Sequence, residues 1–159
     1  MPLALTWYDW FKAGHVLAAV LWVGGGTTLG IYAIMIQRQN SPDEMASFAR
    51  KAALIGERVY TPLSLLVLAL GFGLMENSLS PWTYDRFFVI FGLVGWGLSA
   101  ATGILFLGPE AKRLGKLAPT RPADDPEIQA RIRRILLVLR VDNVLLLAIV
   151  FVMTAKPFL

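Results

Sequence analysis

A long uncharged stretch near the start of the chain constrains the fold more than any other feature. Between Lys12 and Arg38 lie 25 residues without an acidic, lysine or arginine side chain, and they include His15, the single histidine of the protein. About 20 apolar residues are enough to cross the hydrocarbon core of a bilayer as an α-helix. No cationic segment precedes this stretch, and it is too long for the apolar part of a signal peptide, so we interpret it as a retained transmembrane helix.

Three further apolar segments follow, so the sequence predicts four transmembrane helices. Hydrophobic residues make up 56% of the chain, which is more than an ordinary soluble domain carries. A chain of 159 residues has room for one compact unit, and we expect a single integral membrane domain over residues 1–159. The predicted spans cover about residues 10–37, 58–77, 87–109 and 134–155.

The positions of lysine and arginine predict the orientation of these helices. Eleven of the 15 basic side chains lie in the first and third connections, and three lie near the opposite helix ends. Such an excess marks the cytoplasmic side of a membrane protein. We therefore predict an all-α four-transmembrane-helix bundle in the inner (cytoplasmic) membrane of a bacterium, with the N- and C-termini outside. Orientation in the lipid bilayer accounts for the net charge of +4, so no nucleic-acid partner is expected.

Short amphipathic helices should extend the bundle on the cytoplasmic side. Residues 41–44 read as a capping box with proline at the first helical position, which starts a helix that runs into the second span. Pro62 should kink that helix, whereas Gly108-Pro109 should end the third one. The fourth helix should begin near Asp125. An apolar stripe on the first extension could pack against isoleucines of the fourth helix or lie on the lipid surface. This stripe consists of Met45, Phe48, Ala52, Ile55 and Val59.

His15 is the first candidate for a binding site. Together with Trp22, it lies on a helix face of small residues, the kind of surface through which transmembrane helices meet. Counting from the helix ends places Met75 and Met153 at a similar depth. Imidazole suits haem iron, copper and zinc, and a thioether selects Cu(I) or serves as a haem axial ligand. The alternative is that His15 hydrogen-bonds a neighbouring helix and that the methionines fill space. The chain has no cysteine, which excludes thiolate ligands and disulfides.

Asp142 is the second candidate, because a carboxylate near the middle of a bilayer is rare and is a functional hypothesis by default. Asn143 follows it, and Arg140 lies close enough to neutralise an acid or to extend towards the cytosol. A functional interpretation is a proton or cation relay from Asp142 towards His15. The structural alternative is an interhelical hydrogen bond that fixes the helix register.

Several short motifs resemble those of known membrane families. They are, in chain order, Trp10-x-Lys12-x-x-His15, Trp22-x-Gly24-Gly25, Asp142 and Met153-x-x-Lys156-Pro157. Over most of its length the chain resembles an uncharacterised bacterial family of small predicted four-helix integral membrane proteins. The first two motifs are also distantly similar to the membrane protoporphyrinogen oxidase family and to the copper-resistance D membrane domain. The resemblance to the oxidases implies that His15 is associated with haem. Those oxidases also rely on a lysine in a later helix, and residues 87–109 contain none, so the resemblance implies haem binding without porphyrinogen oxidation.

These observations predict a redox or cofactor-binding module that holds b-type haem, with His15 as an axial ligand and Met153 as the candidate for the second. Two alternatives stay open. The first is copper handling, with Cu(I) held by His15, Met75 and Met153. The second is a membrane scaffold or small transporter subunit that has no cofactor. No catalytic residue is predicted. The small-residue helix faces could also pair copies of the chain, so a homo-oligomer is a further expectation.

Overall fold

The computed structural model describes residues 5–39, 41–78, 83–122 and 124–156, and all the regular secondary structure within these ranges is helical. The predicted all-α class is therefore confirmed. Pro157, the last residue of the motifs above, lies outside the described residues. The helices are α1 (Trp7–Gln39), α2 (Pro42–Ile55), the π-helical turn π1 (Gly56–Tyr60), α3 (Thr61–Glu76), α4 (Phe87–Ala101), the π-helical turn π2 (Thr102–Leu107), α5 (Gly108–Leu117), a 3-10 turn (Ala118–Thr120) and α6 (Pro126–Ala155).

Four continuous helical rods are long and apolar enough to cross a membrane, and they confirm the predicted four-helix bundle. Each rod packs against two neighbours, so that α1, α3, α4 and α6 follow one another around a ring. Successive rods run in opposite directions, and four crossings place both chain ends on the same side of the bundle. The rods are Trp7–Gln39, Asp43–Glu76, Phe87–Thr120 and Pro126–Ala155.

Helix α1 turns its small residues inward. Ala18 and Ala33 are only 3% and 4% exposed, whereas Leu17 and Val20 on the other side are each 62% exposed. In a bilayer, large apolar side chains are as well solvated by lipid as by protein, so close approach of small residues brings helices together. This burial pattern indicates that the large side chains of α1 face lipid and its small ones face the other helices.

A buried apolar cluster holds α2, α5 and the start of α6 together at the end of the bundle that the basic residues predict to be cytoplasmic, called the cytoplasmic end below. Met45 and Ala46 of α2, Leu114 of α5, and Ile128 and Ile132 of α6 all belong to it. Of the stripe predicted on the first extension, Met45 and Phe48 pack with Ile128 and Ile132 of the fourth helix, whereas Val59 is 50% exposed, so the prediction holds for the first part of the stripe. The cytoplasmic extensions are thus a small packed layer, continuous with the transmembrane bundle.

The predicted end of the third helix at Gly108-Pro109 is wrong. The chain stays helical through Pro109 and continues as α5 to Leu117, because π2 widens the helix just before the proline. The N–H group of Gly108 bonds to the carbonyl oxygen of Gly103, five residues earlier. Proline ends an α-helix by removing an N–H donor and by clashing with the preceding turn. A π turn changes the spacing of the backbone there, so the helix passes the ring.

Pro62 follows the same arrangement in the second rod. The N–H group of Thr61 bonds to the carbonyl oxygen of Gly56, and the proline comes next in the chain. Sequence reasoning placed a disturbance at Pro62, and the structure locates it in the π turn that precedes this residue. Both rods that carry a cytoplasmic extension therefore contain a π turn directly before a proline.

Candidate functional site

The His15 imidazole lies between α1 and α3. Its Nδ1 atom is 2.9 Å from the carbonyl oxygen of Val67. Because a carbonyl oxygen can only accept a hydrogen bond, Nδ1 donates, and in the neutral imidazole Nε2 then keeps its lone pair. The ring fits over Gly71, where an added Cβ would lie 3.3 Å from the imidazole Cε1. The histidine thus joins two helices in the outer half of the bundle and retains one unprotonated nitrogen.

The two methionines pack in another part of the bundle. The terminal methyl group of Met153 occupies the space that the missing side chain of Gly92 leaves open, in the α4–α6 interface. Met75 and Met153 both border a buried cluster that contains Phe88 and Val152. Contacts of His15 therefore lie between α1 and α3, while those of Met153 lie between α4 and α6. Within the described ranges, no three His, Cys, Asp or Glu side chains come together as a metal site.

Asp142 and its neighbours lie deeper, towards the cytoplasmic half. The Ser99 side chain of α4 lies beside the Asp142 carboxyl group. The Asp142 Oδ1 atom is nevertheless buried and has no hydrogen-bond partner among the described residues. Asn143 points towards α1, where its Oδ1 lies 3.2 Å from the Thr27 hydroxyl oxygen, whose single proton also has the carbonyl oxygen of Val23 as an acceptor at 2.8 Å. The side chain of Arg140 is exposed, and it does not line the cavity next to Asp142.

A cavity of about 640 Å³ occupies the cytoplasmic half of the bundle, and residues of all four rods line it. Its wall is mainly apolar, with Leu, Ile and Ala side chains from α2, α5 and α6. Trp22 also lines it, whereas His15, Met75 and Met153 do not. The structure therefore separates the predicted site residues into two groups. The polar and charged members of the wall are Glu57, Tyr60, Thr61, Ser64, Ser99, Lys112, Asp142 and Asn143.

Two polar contacts join α3 and its extension to α4 and its extension along one side of this cavity. The indole N–H of Trp96 donates to the carbonyl oxygen of Ser64 at 2.9 Å. Nearer the cytosol, the ammonium group of Lys112 pairs with the carboxylate of Glu57. Among the neighbouring transmembrane helices, α3 and α4 pack least closely.

Sequence reasoning missed the contribution of the second rod to the cavity. Four polar residues follow one another at helical spacing there, on the face that lines the wall. This stripe runs from the cytoplasmic extension into an otherwise apolar span, so its periodicity is a signal that the sequence itself contains. The residues are Glu57, Tyr60, Thr61 and Ser64.

Comparisons with known proteins add one finding. A family model described as predicted integral membrane protein (DUF2269) matches residues 10–157. No curated protein and no solved structure matches the chain. The likeness to an integral membrane family is therefore shown, and the more distant similarities to protoporphyrinogen oxidase and copper-resistance proteins stay predictions.

Proposed function

This chain belongs to the DUF2269 family of predicted integral membrane proteins, and on that premise we propose that it binds a lipophilic small molecule inside the membrane. The observation that carries this proposal is the cavity of about 640 Å³ between the four rods. Small-molecule sites usually measure about 300–1,000 Å³ and combine apolar walls with a few converging polar groups. The cavity has both properties, and its mainly apolar wall favours a ligand that dissolves in lipid.

Two glycines of α1 provide a matched test of the cavity. Gly26 lines it and Gly24 does not, although a Cβ added at either position would meet no atom within 4 Å. Gly26→Leu should therefore fill part of the cavity, whereas Gly24→Leu should extend into lipid. The probe is dodecanol that carries a photoreactive diazirine, added to the protein in nanodiscs of zwitterionic lipid. Labelled peptides are then identified by mass spectrometry.

We expect the native protein and the Gly24→Leu variant to be labelled at cavity residues. Labelling of Gly26→Leu should fall by at least about fivefold, because the added side chain occupies the volume that the probe needs. Equal labelling of the two variants, or labelling confined to lipid-facing residues, would contradict the proposal.

A second candidate function is b-type haem binding at His15, and one contact favours it. Histidines that bind metals usually donate their second ring N–H to a carboxylate or a backbone carbonyl. The Nδ1 contact of His15 with Val67 has this form and leaves Nε2 for a metal. Since His15 does not line the cavity, a haem on this nitrogen would lie outside it, against α1 and α3. Met153 remains the candidate within the chain for the other axial ligand, although its contacts lie in the α4–α6 interface, and a second copy of the chain is the alternative source.

Absorbance of protein purified gently from its native membrane tests the haem proposal. A Soret band that disappears in His15→Ala and shifts in Met153→Leu would support it. A colourless protein that binds Cu(I), with binding lost in His15→Ala and weakened in Met75→Leu, would favour copper handling. A colourless protein that binds neither would leave His15 as a contact between helices.

A further inference from the structure

We propose that the molecule bound in the cavity is a lipophilic amine whose ammonium group pairs with Asp142. This inference rests on the proposed function, because it specifies the chemistry of the ligand in the same cavity. The argument starts from the charges on the cavity wall. Three side chains there carry a formal charge, namely those of Glu57, Lys112 and Asp142.

Two of these three charges neutralise each other. Lys112 and Glu57 form an ion pair at the cytoplasmic end of the cavity, and about half of each side chain is exposed. No ion pair joins Asp142 to a basic side chain within the described ranges. Its carboxylate is therefore the one formal charge of the described cavity wall that lacks a counter-charge.

The hydrogen-bond donors around Asp142 leave one of its oxygens unsatisfied. Ser99 lies beside the carboxyl group, but Oδ1 is buried without a partner among the described residues. The Trp96 indole donates elsewhere, to the carbonyl oxygen of Ser64, and Asn143 contacts Thr27 through its own side-chain oxygen. A buried carboxylate without a counter-charge is costly in a medium of low dielectric constant. A cationic head group in the cavity, whose wall includes Asp142, would supply that counter-charge.

The remaining wall determines the rest of the ligand. Leu29, Ile104, Leu139 and Leu146 offer apolar contacts around the level of the carboxylate. A molecule with an alkyl or aromatic body and a single cationic head matches both parts of the cavity. An anionic head would meet Asp142 with like charge, and a neutral head would not supply a counter-charge.

The experiment compares two probes that differ only in the head group. Dodecylamine and dodecanol, each with a diazirine on the alkyl chain, are titrated onto the protein in nanodiscs of zwitterionic lipid. Such nanodiscs avoid the attraction of the amine to anionic lipid. Half-maximal labelling of cavity peptides should need at least about tenfold less amine than alcohol, since a buried charge pair contributes more than one neutral hydrogen bond.

Asp142→Asn keeps the shape of the side chain and removes its charge. In this variant the two probes should reach half-maximal labelling at equal concentrations. The concentration of dodecanol needed should be the same as for the native protein, which would show that the cavity is intact. The double variant Glu57→Gln/Lys112→Gln removes the paired charges and should keep the preference for the amine. Equal labelling of the native protein by both probes, or a preference that survives in Asp142→Asn, would overturn the inference and leave the lipophilic cavity standing. If neither probe labels the cavity, the proposed function itself fails.

Discussion

Single glycines determine how closely α1 and α3 approach each other. An added Cβ at Gly73 would lie 2.5 Å from the Phe11 ring, and one at Gly25 would lie 2.6 Å from the Tyr60 hydroxyl oxygen. Both contacts involve aromatic rings, which cannot bend away as a flexible chain end can. Close packing against α1 therefore occurs near both ends of α3, at Tyr60 and at Gly73.

Gly25→Ala should consequently destabilise the protein, while Gly24→Ala should not. The first change forces the Tyr60 ring and α3 away from α1, and overpacking of this kind costs about 1–3 kcal/mol. At Gly24 the added methyl group meets no atom within 4 Å. The same change there should be neutral, or stabilising by up to about 1 kcal/mol through helix propensity.

Thermal unfolding in mild detergent measures both variants. Tyr60→Phe removes the hydroxyl group that the new methyl group would meet, and it should restore part of the stability lost in Gly25→Ala. Equal unfolding temperatures for the two alanine variants would show that α1 and α3 are less tightly fitted than their contacts indicate.

At this scale the sequence predicted much of α1. Helical spacing placed His15 on the same face as Ala18 and Ala33, and the structure buries both alanines. The partner of His15 was not predictable, because it is the backbone carbonyl of Val67, a group that every residue carries. Whether His15 and Asp142 bind a cofactor or relay protons stays a prediction.

Among the helices, α6 begins with a charged cap. The Asp125 carboxylate accepts hydrogen bonds from the N–H groups of Glu127 at 2.8 Å and of Ile128 at 3.3 Å. Partial loss of water raises the pKa of Asp125, but these two donors and the Arg121 charge outweigh it, so the pKa lies below its ordinary value of 3.8. A lowered pKa in the folded state means that the ionised carboxylate stabilises the fold.

The stabilisation by Asp125 should therefore depend on pH in one direction. It is fully present above the ordinary pKa and is lost as the pH falls through the lower pKa of the folded state. Asp125→Asn keeps a capping side chain but removes the titration. Native protein should unfold at a higher temperature than this variant near pH 7, and the difference should shrink as the pH falls below 3.8 and vanish once the carboxylate is protonated in the folded state as well. A difference that does not change with pH would contradict the assignment.

The π turns show where sequence reasoning about the helices stopped. A proline inside an apolar span normally predicts that the helix kinks or ends there. The hydrophobic pattern does not distinguish either outcome from a π turn. A local signal does exist, since a glycine stands six residues before each proline. The two pairs are Gly56 with Pro62 and Gly103 with Pro109. In both cases the carbonyl group of that glycine accepts the widened hydrogen bond.

For the whole molecule, the arrangement of the four rods follows from hydropathy and charge, but the cavity does not. The sequence specifies which segments cross the membrane, since the bilayer excludes unpaired backbone and charge. The cavity depends on the distances and angles between the rods that line it. Many small side-chain contacts determine those distances together, and the sequence does not specify them one by one. Tyr60 and Ser64 were therefore recognised as wall residues only in the structure.

The absence of cysteine makes the orientation of the molecule directly testable. Thr83, in the connection between α3 and α4, and Thr120, after α5, are both exposed. Single Thr83→Cys and Thr120→Cys variants replace the same residue on opposite sides of the bundle. In intact cells, a thiol reagent that cannot cross membranes should label Thr83→Cys and leave Thr120→Cys unlabelled until the cells are opened. The reverse result would invert the orientation given by the basic residues.

The two π turns have a consequence for chain length. A π turn is equivalent to one residue inserted into an α-helix, and each residue of an α-helix turns the chain by about 100°. About five residues of a π turn cover the rotation of about four residues of an α-helix, so deleting one residue from the segment 56–60 would leave α2 in nearly the same phase relative to α3 and keep Met45 in its buried cluster. The shortened turn would instead bring the Pro62 ring against the preceding turn of a regular α-helix. The extra residue in each of the two rods thus accommodates the proline that follows it.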